Sequence, residues 1–203
     1  MVNPLRPKIL KGALVHFDGE APQGRTLVFR YNPASLHRAM SGADSGGAHA
    51  EHIKITLTLD ATDDLEQGDL NSTAVTYGIL PDLCAIELFL QASKDVAGSH
   101  FGSWFGSTAR QQPFTIFMWG RDRIIPVKVT DAQVREEMFD IRLNPIRAEV
   151  DLTLEVVREG EYPASSAANQ YLASFLKRKQ QLAQLAYATG SLEDLANEMS
   201  GSD

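Results

Sequence analysis

Two histidines, His49 and His52, stand three residues apart in the stretch HAEH, between a Gly-rich run (SGADSGGAHA, 41–50) and an alternating one. On a helix that spacing could hold a metal ion. At the entrance to a strand, residues i and i+3 point to opposite faces, and the HExxH spacing is absent. Exposed loop histidines are the simpler reading. Asp60, Asp63, Asp64, Glu66 and Asp69 form a second group, with hard oxygen ligands suited to calcium. The order D-x-[DN]-x-[DN]-G is missing, and an acidic loop before a helix N-terminus is explained by the helix dipole and solvation. Ser103 lies between glycines in FGSWFGS, yet G-x-S-x-G is absent and nothing marks a histidine and an acid as its partners. Cys84, the single cysteine, sits among Leu83, Ala85 and Ile86 and reads as a buried structural thiol. No P-loop and no G-x-G-x-x-G would cradle a phosphate. The expectation is a protein without catalytic residues, metal or cofactor.

Composition narrows the partners. A formal net charge of −7 disfavours nucleic acid, which needs a dense Lys/Arg surface, and disfavours an anionic membrane face. No stretch approaches the ~18 uninterrupted apolar residues of a membrane span. Met1 to Pro7 carries no apolar secretion segment, and one thiol cannot form an internal disulfide. Synthesis in the cytoplasm without a signal peptide is therefore expected. A length of 203 residues with 43% hydrophobic content suits one packed domain plus an appendage.

The elements that must position any site follow from periodicity. Lys8–Phe17 and Arg25–Tyr31 are β-prone runs around a Gly/Pro/Asp turn cluster and read as a hairpin. Ile53, Ile55, Leu57 and Leu59 alternate with Lys54, Thr56, Thr58 and Asp60, a strand with one wet face. Ala74–Gln91 has a broad helical apolar arc interrupted by Pro81, which predicts a short first turn and a main helix from about Pro81 onward. Phe114–Trp119 and Arg123–Thr130 read as a hairpin, with a further strand over Glu136–Leu143. Ala148, Val150, Leu152, Leu154 and Val156 alternate with polar residues in a second long amphipathic strand. The chain divides into a β domain over 1–158, a linker over 159–168 and a helical tail over 169–203. Asn169–Thr189 is expected as a helix, Gly190 as its C-cap, and Ser191 as the start of a short further helix.

Three features call for contacts or shape. The loop residues Phe101, Trp104 and Phe105 either cover an open end of the core or meet a neighbouring protein. The tail stripe, with Leu172, Phe175, Leu176 and Leu182, must dock on its own domain or on another subunit, because an isolated helix of this length is marginal in water. Deleting residues 165–203 is expected to leave a folded domain that no longer joins its partner. Finally, Arg-x-Asn-Pro occurs twice, at Asn32-Pro33 and Asn144-Pro145. Asn caps a type I turn through its side chain, Pro presets φ and denies the strand a donor, so both sites are structural corners.

In order along the chain, VFRYNPASL, IKITLTLDAT, GILPDLCAIELFL, PFTIFMWG and IRAEVDLTLEVV are together similar to the N-terminal tube-protein family of contractile injection systems, the phage-tail-like machines. The similarity covers roughly residues 8–158, about three quarters of the chain, and rests on the five motifs occurring in order rather than on any one of them. It resembles the tube-initiator and tube–spike baseplate adaptor type. The resemblance implies a mainly β fold with α: a tail-tube-like antiparallel β-sandwich or barrel with one flanking helix, here followed by a C-terminal helical tail. It implies a hexameric ring whose sheets join across subunits to line a channel, with tube, spike and baseplate proteins of the same particle as partners. Relatives often carry a C-terminal LysM domain; this chain has an Ala/Gln/Leu helix instead. Assembly would draw on strand edges, apolar patches and pairs of Arg121, Arg123 and Arg135 with acidic loops. Two alternatives stay open. A ligand- or glycan-binding β-sandwich would use a concave aromatic site at Trp104 and Trp119, and a metal-dependent enzyme would use His49, His52 and acidic partners.

Overall fold

The computed structural model describes residues 10–17, 25–42, 50–94 and 113–187, and in it the two cleanest alternations of the sequence lie side by side. The strands are β1 (Ala13–Phe17), β2 (Arg25–Val28), β3 (His37–Met40), β4 (Glu51–Asp60), β5 (Phe114–Met118), β6 (Ile124–Phe139) and β7 (Pro145–Val156). The helices among the described residues are α1 (Thr62–Glu66), α2 (Ser72–Tyr77), α3 (Leu80–Lys94) and α4 (Ala167–Gln184). All strand neighbours are antiparallel, in the order β2-β1-β5-β6-β7-β4-β3. The mainly β class with helices is thus what forms.

β4 and β7 pair from His52↔Glu155 to Asp60↔Arg147. Their apolar sets, Ile53 to Leu59 and Ala148 to Val156, are buried, while Lys54, Thr56 and Asp151 face outward. Period-two patterning therefore sets the register, since a slip of one residue would turn every one of these side chains to water. α3 supplies Ile79, Leu83, Ile86 and Phe89 to the same core, Ile79 from the residue just before it. Pro81 is its second residue, where a missing N–H costs nothing, and α2 is the short turn before it. Cys84 falls off that stripe and is exposed, which corrects the expected buried thiol. Its apolar sequence neighbours Leu83 and Ile86 belong to the buried face, whereas residue 84 lies on the other side of the turn.

The sheet rolls on itself. Arg30, just beyond β2 at one margin, donates from Nη1 to the Asp60 carbonyl at the end of β4 near the other margin (3.4 Å). It also pairs with Asp64 and, through Nε, with Asp82 of α3 at 3.2 Å. Around β5 both faces are covered: Phe114, Thr115, Ile116 and Phe117 are all buried. His16 and Phe17, adjacent on β1, point to opposite faces. His16 stacks on Phe89 of α3, while Phe17 meets Phe114 and Tyr171 of α4. The two long helices consequently pack on opposite sides of this part of the sheet.

Three expectations need correction. β6 is one continuous strand of 16 residues rather than separate runs at 123–130 and 136–143. Irregularities at Val129/Asp131 and around Met138 absorb the break in alternation that suggested two strands. Residues 140–143 lie in the turn to β7, with Leu143 at φ 65°. Residues 159–168 are not a loose connector, because Tyr162 is buried and its hydroxyl donates to the Pro113 carbonyl at 2.9 Å. The tail helix is part of the domain: Ala168, Leu172 and Phe175 are buried in the common core, and Leu176 packs against it. Ser166 caps α4 through its hydroxyl, accepting from the Asn169 N–H. Deleting 165–203 would strip the cover from Phe17 and Phe114, so a folded remainder is not expected.

Candidate functional site

The residues first suspected of chemistry are mostly occupied elsewhere. His49 lies outside the described residues; His52 is half-buried on β4, paired across the sheet with Glu155 and Ala39. Asp60 accepts from the Thr62 N–H (2.8 Å) and hydroxyl at the start of α1. Burial raises its carboxyl pKa, but these bonds outweigh that and hold it below the ordinary value. Asp63 takes the Tyr31 hydroxyl and Asp64 takes Arg30. Among the described residues no group of three or more His, Cys, Asp and Glu side chains could hold a metal ion. Phe101, Ser103, Trp104 and Phe105 lie outside the described residues. Trp119 is half-buried and stacks on Phe117, 5.8 Å between centroids, so it is committed to packing.

The two asparagines of the Arg-x-Asn-Pro sites both act over long range, and Asn144 also donates to the Asp140 carboxylate within its own turn (2.9 Å). Asn32 donates to the Leu10 carbonyl and accepts from the Gly12 N–H, both at 2.8 Å, tying the start of β1 to the corner after β2. Asn144 donates to the Thr76 carbonyl, 68 residues away, at 3.0 Å. The local cap is Asp140, which accepts from the N–H groups of Arg142 and Asn144. The Asn144 side-chain bond leads in holding the Asp140 carboxyl below its ordinary pKa. Pro145 opens β7, and its carbonyl accepts from the Ile79 N–H at 2.8 Å. Pro33 follows Asn32 between β2 and β3, half-buried.

What remains open is surface for contact. Beyond Val127, the last residue paired with β5, β6 has β7 on one side only among the described residues. Its residues from Thr130 to Phe139 are almost all exposed, with Val134 at 42% and Met138 and Phe139 at 50%. Ile141 and Leu143 at the following turn are fully or mostly exposed. The strand expected over Glu136–Leu143 ends at Phe139, and the turn at Asp140 sends Ile141 and Leu143 to solvent. The cue was the Asp140–Asn144 spacing, which suits a side-chain-capped turn.

The outward face of β4, β7 and β6 is polar, with a hollow of about 340 Å³ lined by Lys54, Thr56, Asp131, Gln133, Asp151 and Thr153 among others. Cross-strand partners satisfy one another there: Thr56 donates to Asp151, and Arg135 pairs with Glu149 and Glu137. Arg135 is thus engaged within the chain, whereas it had been expected to serve neighbours. Of the predicted contact residues, Leu172, Phe175 and Leu176 are used inside the domain, and Leu182 is 38% exposed near the end of α4. That end is pinned by Arg178 to Asp122 and by Lys179 to Glu51. Burial pushes the Glu51 carboxyl up, and hydrogen bonds from Arg38 and Lys179 more than reverse it, leaving its pKa below the usual range. Among the described residues no helix is long and apolar enough to cross a membrane, which does not bear on strands. No protein-family model matches the chain. No curated protein matches it either.

Proposed function

We propose that this chain is a structural subunit of a contractile injection system, assembling as a ring that initiates the inner tube or joins it to the spike and baseplate, with six copies expected. The observation that carries the proposal is the open edge of β6 from Thr130 to Phe139. A long exposed strand edge is a liability in a monomer and a ready joint in an assembly. The rolled antiparallel sheet, its polar outward face and its flanking helix support the same reading, as does the order of motifs from VFRYNPASL to IRAEVDLTLEVV. The mechanism is geometric. Strand edges join neighbours, the wet face lines the channel, and exposed turns reach adjoining layers.

Mass in solution, combined with electron microscopy of particles purified from the native host, tests the role. Ring-sized assemblies and the chain's presence in a particle are expected. A strictly monomeric chain that never copurifies with a particle overturns it.

A further inference from the structure

The exposed apolar residues include two patches with rims of opposite charge. Ala13 pairs with Val28 on one side and Met118 on the other, so these two flank it on one face of β2-β1-β5, 52% and 37% exposed. Leu10, 61% exposed, is held to this corner through its carbonyl by Asn32. The rim is basic. Lys11 follows Leu10, and Arg121 and Arg123 occupy the turn that leaves β5. All three are exposed and have no carboxylate partner among the described residues, Asp122 between the arginines being taken by Arg178.

The second patch is the turn from α1 into α2, where Leu70 is 81% and Val75 47% exposed. Its rim is acidic: Glu66 and Asp69 are exposed and have no cation partner among the described residues, unlike Asp64, which holds Arg30. The turn is built rather than loose. Leu70 and Asn71 donate to the carbonyls of Gln67 and Gly68, and the Asn71 side chain donates to the Asp64 carbonyl at 3.4 Å.

We infer that these patches bind each other between two copies of this chain, Leu10, Val28 and Met118 of one against Leu70 and Val75 of the next, with Arg121 and Arg123 facing Glu66 and Asp69. A chain of net charge −7 repels its copies at long range, so an exposed basic patch without internal partners favours docking on a local acidic one. Apolar centres with charged rims are the ordinary anatomy of a protein interface. The contact rests on the ring reading for the number of copies only.

Charge reversal on the full chain tests it, read by sedimentation at low salt with thermal melts as the folding control. Arg121→Glu with Arg123→Glu should weaken self-association about tenfold, the worth of a few exposed ion pairs. Adding Glu66→Lys and Asp69→Lys in the same chain should restore it, a rescue that loss of folding would not give. Leu70→Asp should weaken it without rescue. Assemblies that form normally from the Arg121/Arg123 variant overturn this contact and leave the subunit role standing. A wild-type chain that stays monomeric in every buffer overturns the contact and the ring together.

Discussion

Gly78 and Gly120 both have positive φ, 58° and 79°, yet their surroundings differ. A Cβ on Gly120 would meet open space, whereas one on Gly78 would collide with the Pro145 carbonyl oxygen. Gly120→Ala should therefore cost only the left-handed strain of about 1–2 kcal/mol. Gly78→Ala must also push β7 off the α2–α3 junction, breaking the Ile79-to-Pro145 bond, and should lower the melting temperature clearly more. Equal shifts would show that the junction is not held as described. Glu51 gives a pH prediction. Its folded pKa is depressed, so its stabilisation is present above the ordinary carboxylate value, about 4.3, and is lost as pH falls through the folded value. Glu51→Gln should melt lower than wild type at pH 7, and the gap should narrow as pH falls below the ordinary carboxylate value. Asp60 and Asp140, also depressed, keep an acid limb in both proteins.

Elements were legible in proportion to how strictly their patterns repeat. β4 and β7 carry unbroken periods, and with the helix expected from about Pro81 onward they appear where the sequence predicts them. β3 has no such signal, since all four of its residues are exposed and only pairing with β4 makes it a strand. β6 changes character halfway, apolar where β5 and α3 cover it and charged where they do not, so one strand reads as two. The destination of α4 was undecidable because a helical stripe states only that it must dock. The aromatic acceptors that receive it, Phe17 and Phe114, lie far away in sequence. Leu172→Ala, at 4% exposure, should cost about 2–5 kcal/mol in denaturant unfolding of the isolated chain. A negligible change would mean that α4 docks elsewhere. On the open edge of β6, Val134→Lys should leave stability within about 0.5 kcal/mol but reduce assembly, since an added charge blunts strand pairing. Unchanged assembly would remove that edge from the joint.

At the scale of the whole molecule, the candidate contact surfaces were the least legible part. Sequence alone ranked the aromatic loop and the tail stripe as the places to meet a neighbour. In the fold, three of the four stripe residues turn inward. The exposed set comes instead from residues such as Leu10, Val28 and Leu70, which become neighbours of a rim only through topology. A patch that spans β1, β2 and β5 has no period to detect.

The pairing of β4 with β7 has a consequence for synthesis. Thr56 and Asp151, bonded across the middle of the molecule, are 95 residues apart in the chain. β4 leaves the ribosome with its apolar face bare and waits until β7 emerges, long after α3 has formed. Such non-local closure folds slowly and exposes strand edges meanwhile. The same delay keeps β6 from being presented as an open edge until β7 has fixed its other side. On the proposed ring role, a chain so arranged joins its neighbours only after β7 has been made, and chains terminated before β7 should aggregate instead.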